Sequence, residues 1–124
     1  MSQMVNVDRL RDIAELEFGD IVAFAFSPDV NELRIILTDN SFVDLWFSLK
    51  LPDRYSYHWE RRAVDGTVYR HDNAPHRRWL TIATFPHHFH NGREDYVVES
   101  HLSQDPYQAL REFLTFVRGV LKKV

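Results

Sequence analysis

The stretch Arg54–Asp72, RYSYHWERRAVDGTVYRHD, carries the pattern that decides the fold. From Tyr55 onward, aromatic and polar side chains alternate with the period of two that is typical of a half-buried strand. Tyr57 and Trp59 therefore share a face that we expect to join the core, and His58 lies on the opposite, polar face.

A second strand is expected to return from this one as a hairpin. The Asp-Gly pair at positions 65–66 is a strong signal for a two-residue turn, and Thr67–Asp72 follows it. With this loop His58 lies opposite Asn73, whereas a change of register by one residue brings Arg70 beside it. In both registers His58 shares a face with polar side chains of the next strand.

The remaining chain predicts the other elements of a single domain, residues 1–124. Apolar residues at helical spacing indicate one helix over Val7–Phe18 and another from Pro106 to Val124. The segment Phe85–Arg93 is expected to be irregular because of its Pro, Asn and Gly. Further strands are predicted at Asp20–Ser27, Glu32–Thr38, Ser41–Lys50 and Glu94–Ser100. The fold class is therefore α+β, a twisted antiparallel sheet of five to six strands with N- and C-terminal helices packed on one face.

The composition excludes several classes of protein. No cysteine occurs among the 124 residues, which excludes disulfides, thiolate zinc sites and cysteine nucleophiles. The sequence contains no glycine-rich phosphate loop and no HExxH motif. The N-terminal segment has no apolar stretch typical of a signal peptide, and no run is long enough to span a membrane. We therefore expect a cytoplasmic protein.

Histidine and arginine are concentrated in the segment Arg54–Arg93. It holds six of the seven histidines, and its seven arginines and three acids give +4. The rest of the chain has 8 basic and 15 acidic residues, so its balance is −7. Imidazoles titrate near physiological pH and guanidinium groups match phosphate oxygens, so this segment is expected to hold a phosphate-bearing ligand.

The motif DNAPHRR, Asp72–Arg78, combines a carboxylate, a turn, a histidine and two arginines. One interpretation is that His76 acts on a ligand gripped by Arg77 and Arg78. The other is a turn in which the Asp72 carboxylate accepts backbone N–H groups while the arginines are solvated.

The motif FPHHFH, Phe85–His90, places three imidazoles at His87, His88 and His90. They are candidates for zinc ligands or for proton transfer beside a bound phosphate. A three-histidine site requires a bend, because His87 faces away from the other two on an extended segment. The alternative is a surface loop that is merely rich in histidine.

Together, YSYHW, YRHDNAPH and FPHHFH resemble the pattern of TumE-like toxins of prokaryotic type II toxin–antitoxin modules. The match covers roughly Tyr55 to His90 and departs from the pattern at Arg77 and Phe89, where members often carry histidine and lysine. The resemblance implies a prokaryotic toxin that pairs with a helix-turn-helix antitoxin and acts on RNA. The candidate residues that carry over are His58, Asp72, Asn73, His76, His87, His88 and His90.

One function hypothesis is a histidine-based, metal-independent ribonuclease without a cofactor. Cleavage through the 2′-hydroxyl needs a base, an acid and a cation near the transition state. We expect His58 and His88 to be the acid/base pair, Asp72 to orient a histidine, and His76 to hold or protonate the substrate. The expected substrate-binding residues are Arg70, Arg77, Arg78 and His87.

The second hypothesis is a non-catalytic module that binds nucleic acid or an acidic protein surface. In that case His87, His88 and His90 hold a structural zinc ion or hydrogen-bond the loops together. The charge pattern is the same under both hypotheses.

Overall fold

The structure, a computed structural model, describes residues 4–123. Seven strands form one antiparallel sheet, and their order across the sheet is their order along the chain. The strands are β1 (Val22–Phe26), β2 (Glu32–Leu37), β3 (Phe42–Phe47), β4 (Tyr55–Arg61), β5 (Thr67–Asp72), β6 (His88–Gly92) and β7 (Val97–Glu99). The helices are α1 (Val7–Glu17), the single turn α2 (Arg62–Asp65) and α3 (Pro106–Leu121), with a 3-10 turn at Arg77–Trp79.

Helices α1 and α3 pack on the same face of the sheet, as the sequence predicts. The core between them and the sheet includes Leu10 of α1, Phe113 of α3 and Trp59 of β4, each 0% exposed. Burial of these apolar surfaces is the main stabilising contribution to the fold. The opposite face of the sheet, called here the open face, carries His58 and its polar neighbours.

Both helices begin at residues whose side chains accept a backbone N–H. Asn6 caps α1 by accepting from the N–H of Arg9, and Asp105 caps α3 by accepting from that of Gln108. Such caps satisfy donors that have no partner within the helix. Ion pairs of Arg111 with Glu17 and of Arg118 with Asp20 tie α3 to the end of α1.

The sheet has seven strands rather than the predicted five to six, because the segment Phe85–Arg93 is not irregular throughout. Strand β6 pairs with β5 on one side and with β7 on the other. Its alternation places Phe89 on the core face and His88 and His90 on the open face. Phe89 is the one apolar side chain of this strand, so its alternation with a period of two was not recognised in the sequence.

The prediction of a two-residue turn between β4 and β5 was wrong. The turn is the helical turn α2, which ends at Gly66 with a left-handed φ of 82°. Glycine adopts this conformation without the steric cost of a Cβ. The resulting register pairs His58 with Arg70, not with Asn73. His58 nevertheless shares its face with polar side chains of β5, as both candidate registers required.

Some element bounds differ from the prediction. The last strand is shorter, Val97–Glu99, and α3 ends at Leu121, while Val124 lies outside the described residues. Within the described part of the chain, no helix is both long enough and apolar enough to cross a membrane.

Candidate functional site

Two rows of polar side chains cross the open face on β4, β5 and β6. One row contains His58, Arg70 and His90, which are paired across the three strands. The neighbouring row contains Ser56, Asp72 and His88. The strand registers thus bring together histidines that are up to 32 residues apart in sequence.

Arg70 is the centre of this polar group. Its guanidinium donates to Glu94 through two bonds of 2.7 Å and to Asp72 at 3.0 Å. It also contacts Nδ1 of His58 at 3.4 Å and Nε2 of His90 at 3.2 Å. A guanidinium has five N–H donors and no acceptor, and these five contacts use all of its donors. Nδ1 of His58 and Nε2 of His90 must therefore be acceptors.

Asp72 starts the turn that carries His76. Its Oδ1 accepts the N–H of Ala74 at 3.0 Å, which is the backbone interaction of an Asp-initiated turn. Burial alone would raise the pKa of Asp72, but His88, the Ala74 N–H and Arg70 together outweigh it and lower the pKa to about 2. The carboxylate is therefore ionised throughout the physiological pH range.

His88 lies beneath the surface and is 1% exposed. Its Nδ1 is 2.9 Å from the carbonyl oxygen of Pro86, to which it donates. Its Nε2 is 3.1 Å from Oδ1 of Asp72 but lacks the geometry of a hydrogen bond. Burial opposes the charged imidazolium, yet the nearby carboxylate outweighs it and raises the pKa of His88.

His90 is held in a similar way. Its Nδ1 donates to the carbonyl oxygen of Glu94 at 2.8 Å, and its Nε2 faces Arg70. Burial lowers the pKa of His90, so the neutral ring is favoured. The ring is 4% exposed, and its surface borders a cleft.

This cleft, called here the Arg70 cleft, has a volume of about 390 Å³. It is lined by Arg70, Asp72, His76, Arg78, Trp79, His90, Glu94 and Asp95. His76 and Arg78 are exposed at its edge, and the Arg78 guanidinium lies 4.8 Å from the centre of the Trp79 ring. Three carboxylates and two guanidinium groups therefore meet around one space.

The structure places His87 away from this cleft. Its Nδ1 is 2.9 Å from the hydroxyl of Tyr55, and the two rings stack on the helix-covered side of the sheet. His87, expected among the substrate-binding residues, therefore does not line the Arg70 cleft. The alternative metal set is not assembled either, because Asp72 rather than His87 accompanies His88 and His90.

His71 is a core residue. It stacks on Phe89 at 4.0 Å between ring centres, contacts Phe113 edge-on, and its Nδ1 lies 2.7 Å from the Ser100 hydroxyl. Burial lowers the pKa of His71 to about 3. This histidine of the segment thus has a packing role.

Sequence reasoning missed three residues of the cleft, Trp79, Glu94 and Asp95. Trp79 lines the cleft, and Glu94, expected only as the start of a strand, holds Arg70. The sequence could have indicated that Glu94 lies near His90, because it follows that histidine by four residues across the turn at Gly92. No sequence pattern indicated the position of Trp79, because its placement depends on the 3-10 turn.

The comparisons with known proteins give one family. The family model described as Toxin TumE matches residues 8–121. The chain belongs to the TumE toxin family. The match extends well beyond the three motifs, to both terminal helices, and membership of a toxin family implies an antitoxin partner. No curated protein and no solved structure matches this TumE-family toxin.

Proposed function

We propose that this toxin acts on RNA in the cytoplasm as a histidine-based ribonuclease, restrained by a helix-turn-helix antitoxin in a type II module. The observation that carries the proposal is the Arg70 cleft, where an exposed imidazole, guanidinium groups and an aromatic ring surround one space. RNA recognition combines cations for the phosphate with aromatic rings on which bases stack.

The phosphate is proposed to bind at the 3-10 turn. Arg77 and Arg78 are both exposed, and neither forms a salt bridge with any of residues 4–123. Arg70, in contrast, is already paired with Glu94 and Asp72. Trp79 beside Arg78 supplies a ring for base stacking, and such stacking is typical of proteins that bind single-stranded RNA.

Proton transfer is proposed for His58, which contacts Arg70, and for His76, which lines the same cleft as Arg70. The side chain of His58 is 19% exposed. One imidazole takes the proton of the 2′-hydroxyl as its oxygen attacks phosphorus. The other protonates the departing 5′-oxygen. The products are a 2′,3′-cyclic phosphate and a 5′-hydroxyl, and no metal is needed at the reacting atoms.

Asp72 and His88 receive positioning roles in this proposal. Asp72 holds the turn that carries His76, and His88 lies against the Asp72 carboxylate. Because His88 is almost fully buried, it does not reach a substrate in this conformation. His58 and His76 are therefore the stronger acid/base pair than His58 and His88.

The test is cleavage of a single-stranded RNA by purified toxin. His58→Ala and His76→Ala should each lower the rate by ~10²–10⁴-fold, since each removes a positioned acid or base. His101→Ala is the matched control, because that imidazole is exposed and pairs only with Glu99 among the described residues. All three variants should keep the wild-type circular dichroism spectrum.

The products separate the proposal from its alternatives. A 2′-deoxy substitution at the cleaved position should block the reaction, because the attacking oxygen is missing. Cleavage of that deoxy substrate, or full activity of both histidine variants, would contradict the proposed mechanism. RNA binding without cleavage would support the binding module instead.

A further inference from the structure

Asp72, His88 and His90 form a compact group on two neighbouring strands. Asp72 of β5 is paired with His88 of β6, and His90 follows two residues later on the same face. One donor atom from each lies within 4.8 Å of the other two. The three residues are 9%, 1% and 4% exposed, respectively, and two of them, Asp72 and His90, line the Arg70 cleft.

The buried Nε2 atom of His88 has no hydrogen-bond partner among the residues that the structure describes. It lies 3.1 Å from Oδ1 of the Asp72 carboxylate without the geometry of a hydrogen bond. Unsatisfied polar atoms are rare in protein interiors because desolvation costs free energy that no partner offsets. A ligand bound between this nitrogen and the carboxylate would give the nitrogen its missing partner.

Both imidazoles are oriented by backbone carbonyls. Nδ1 of His88 donates to Pro86, and Nδ1 of His90 donates to Glu94, at 2.9 and 2.8 Å. In the neutral form of each ring these bonds place the proton on Nδ1, so that Nε2 carries the lone pair, 3.1 Å (His88) or 3.8 Å (His90) from an oxygen of Asp72. A metal ion displaces the Nε2 proton of His88 when that ring is charged. Metal-binding histidines are usually held in this way, with the second ring nitrogen donating to a carbonyl or carboxylate.

We propose that the Asp72 carboxylate and the Nε2 atoms of His88 and His90 bind a divalent transition metal ion of the zinc class. Imidazole and carboxylate ligands suit Zn²⁺, whereas Mg²⁺ favours oxygen ligands. Ligand atoms about 2.0–2.1 Å from zinc lie about 3.3 Å apart in a tetrahedron. The carboxylate oxygens are 3.1 Å from Nε2 of His88 and 3.8 Å from Nε2 of His90, so small side-chain adjustments suffice.

Arg70 competes with such an ion for Asp72 and for Nε2 of His90. Its guanidinium keeps two bonds of 2.7 Å to Glu94 when these two contacts are released, so it need not lose its position. The carboxylates of Glu94 and Asp95 add negative charge around the cleft. The fourth coordination position opens on the cleft, where water or a phosphate oxygen would complete it.

The metal site goes beyond the proposed ribonuclease and does not rest on it. Proton transfer was assigned to His58 and His76, which are not among the three ligands. Zinc binding is measured without RNA, so a failure of cleavage and a failure of metal binding are separate results.

The experiment titrates untagged, metal-free protein with Zn²⁺ by calorimetry and with Co²⁺ by visible absorption. We expect about one ion per chain, a tetrahedral cobalt spectrum, and a Tm that rises with zinc because the ion binds the folded state. His90→Gln and Asp72→Asn should weaken zinc binding by more than the ~10–100-fold that follows loss of an outer partner.

His87→Gln is the matched control, since it removes the adjacent imidazole of the same motif from the other side of the sheet. It should bind zinc like the wild type. His88→Gln should also lose zinc binding if this variant folds. If it does not fold, His90→Gln tests the site instead, because the His90 ring borders the cleft. Absence of stoichiometric zinc binding by the wild type, or equal loss in His87→Gln, would overturn the site.

Discussion

Ser41 is the partner of the largest side chain in the core. The indole N–H of the fully buried Trp59 donates to the Ser41 hydroxyl at 2.9 Å, and Ser41 is itself 2% exposed. Ser41→Ala should destabilise the fold by about 1–3 kcal/mol, because it leaves a buried donor without a partner. Urea denaturation measures this loss.

A double-mutant cycle is the control for that value. Trp59→Phe removes the indole N–H, so Ser41→Ala should cost much less in that background. An equal cost in both backgrounds would show that the hydroxyl stabilises the fold in another way.

The face of the sheet on which each histidine lies could be predicted from the sequence for some of these residues. The alternation of YSYHW predicted the open-face position of His58, because neighbouring side chains point to opposite faces of a strand. His71 lies opposite Tyr57 and hence in the core, but this follows from the observed register and not from the two-residue turn that the sequence predicted. The same alternation placed His87 on the opposite side from His88 and His90, and the structure pairs it there with Tyr55.

Helix α3 closes the core through its apolar stripe, in which Phe113 is 0% exposed. Phe113→Ala should destabilise by about 3–5 kcal/mol, from lost transfer free energy and the cavity left behind. Phe24→Ala is the matched control, since Phe24 is 52% exposed and the same atoms are removed. Its effect should stay within about 0.5 kcal/mol.

The denaturation midpoints of the two variants compare these expectations directly. If Phe113→Ala unfolds at the same urea concentration as the wild type, α3 does not contribute to the core in the way its burial indicates.

Helices and strands with long apolar patterns could be predicted from the sequence, whereas a short strand of mostly polar residues could not. The two terminal helices and the first three strands follow from periodicity, because their buried faces are continuous. Strand β6 buries one apolar side chain of five, so its pairing depends on β5 and β7 rather than on its own pattern. The Arg70 cleft depends on that strand and on the 3-10 turn, and therefore could not be assembled from the sequence.

Charge is unevenly distributed over the whole molecule, with +4 in Arg54–Arg93 and −7 elsewhere. RNA should therefore bind near the Arg70 cleft, and its affinity should fall steeply with salt as phosphate contacts release counterions. The double variant Arg77→Gln/Arg78→Gln should weaken binding and reduce the slope of log affinity against log salt concentration.

Arg9→Gln is the control for the loss of a cation, because Arg9 lies on α1 over the Tyr107 ring. Fluorescence anisotropy with a labelled RNA at several salt concentrations gives both quantities. An affinity that does not change with salt would argue against phosphate recognition by this surface.

The packing of α1 and α3 on one face of the sheet determines when, during synthesis, the core can be completed. All strand pairs join neighbours in the chain, so the sheet can form progressively as the polypeptide leaves the ribosome. Helix α1 is made first and can cover β1 and β2, but the core face of the later strands stays uncovered until α3 emerges. At ~5–20 residues per second, that interval is on the order of ten seconds. During each round of translation the nascent toxin is thus an unfinished sheet with exposed aromatic rings. Its cleft-bearing strands can pair early, but the protein that carries them becomes stable only when its last helix has been made.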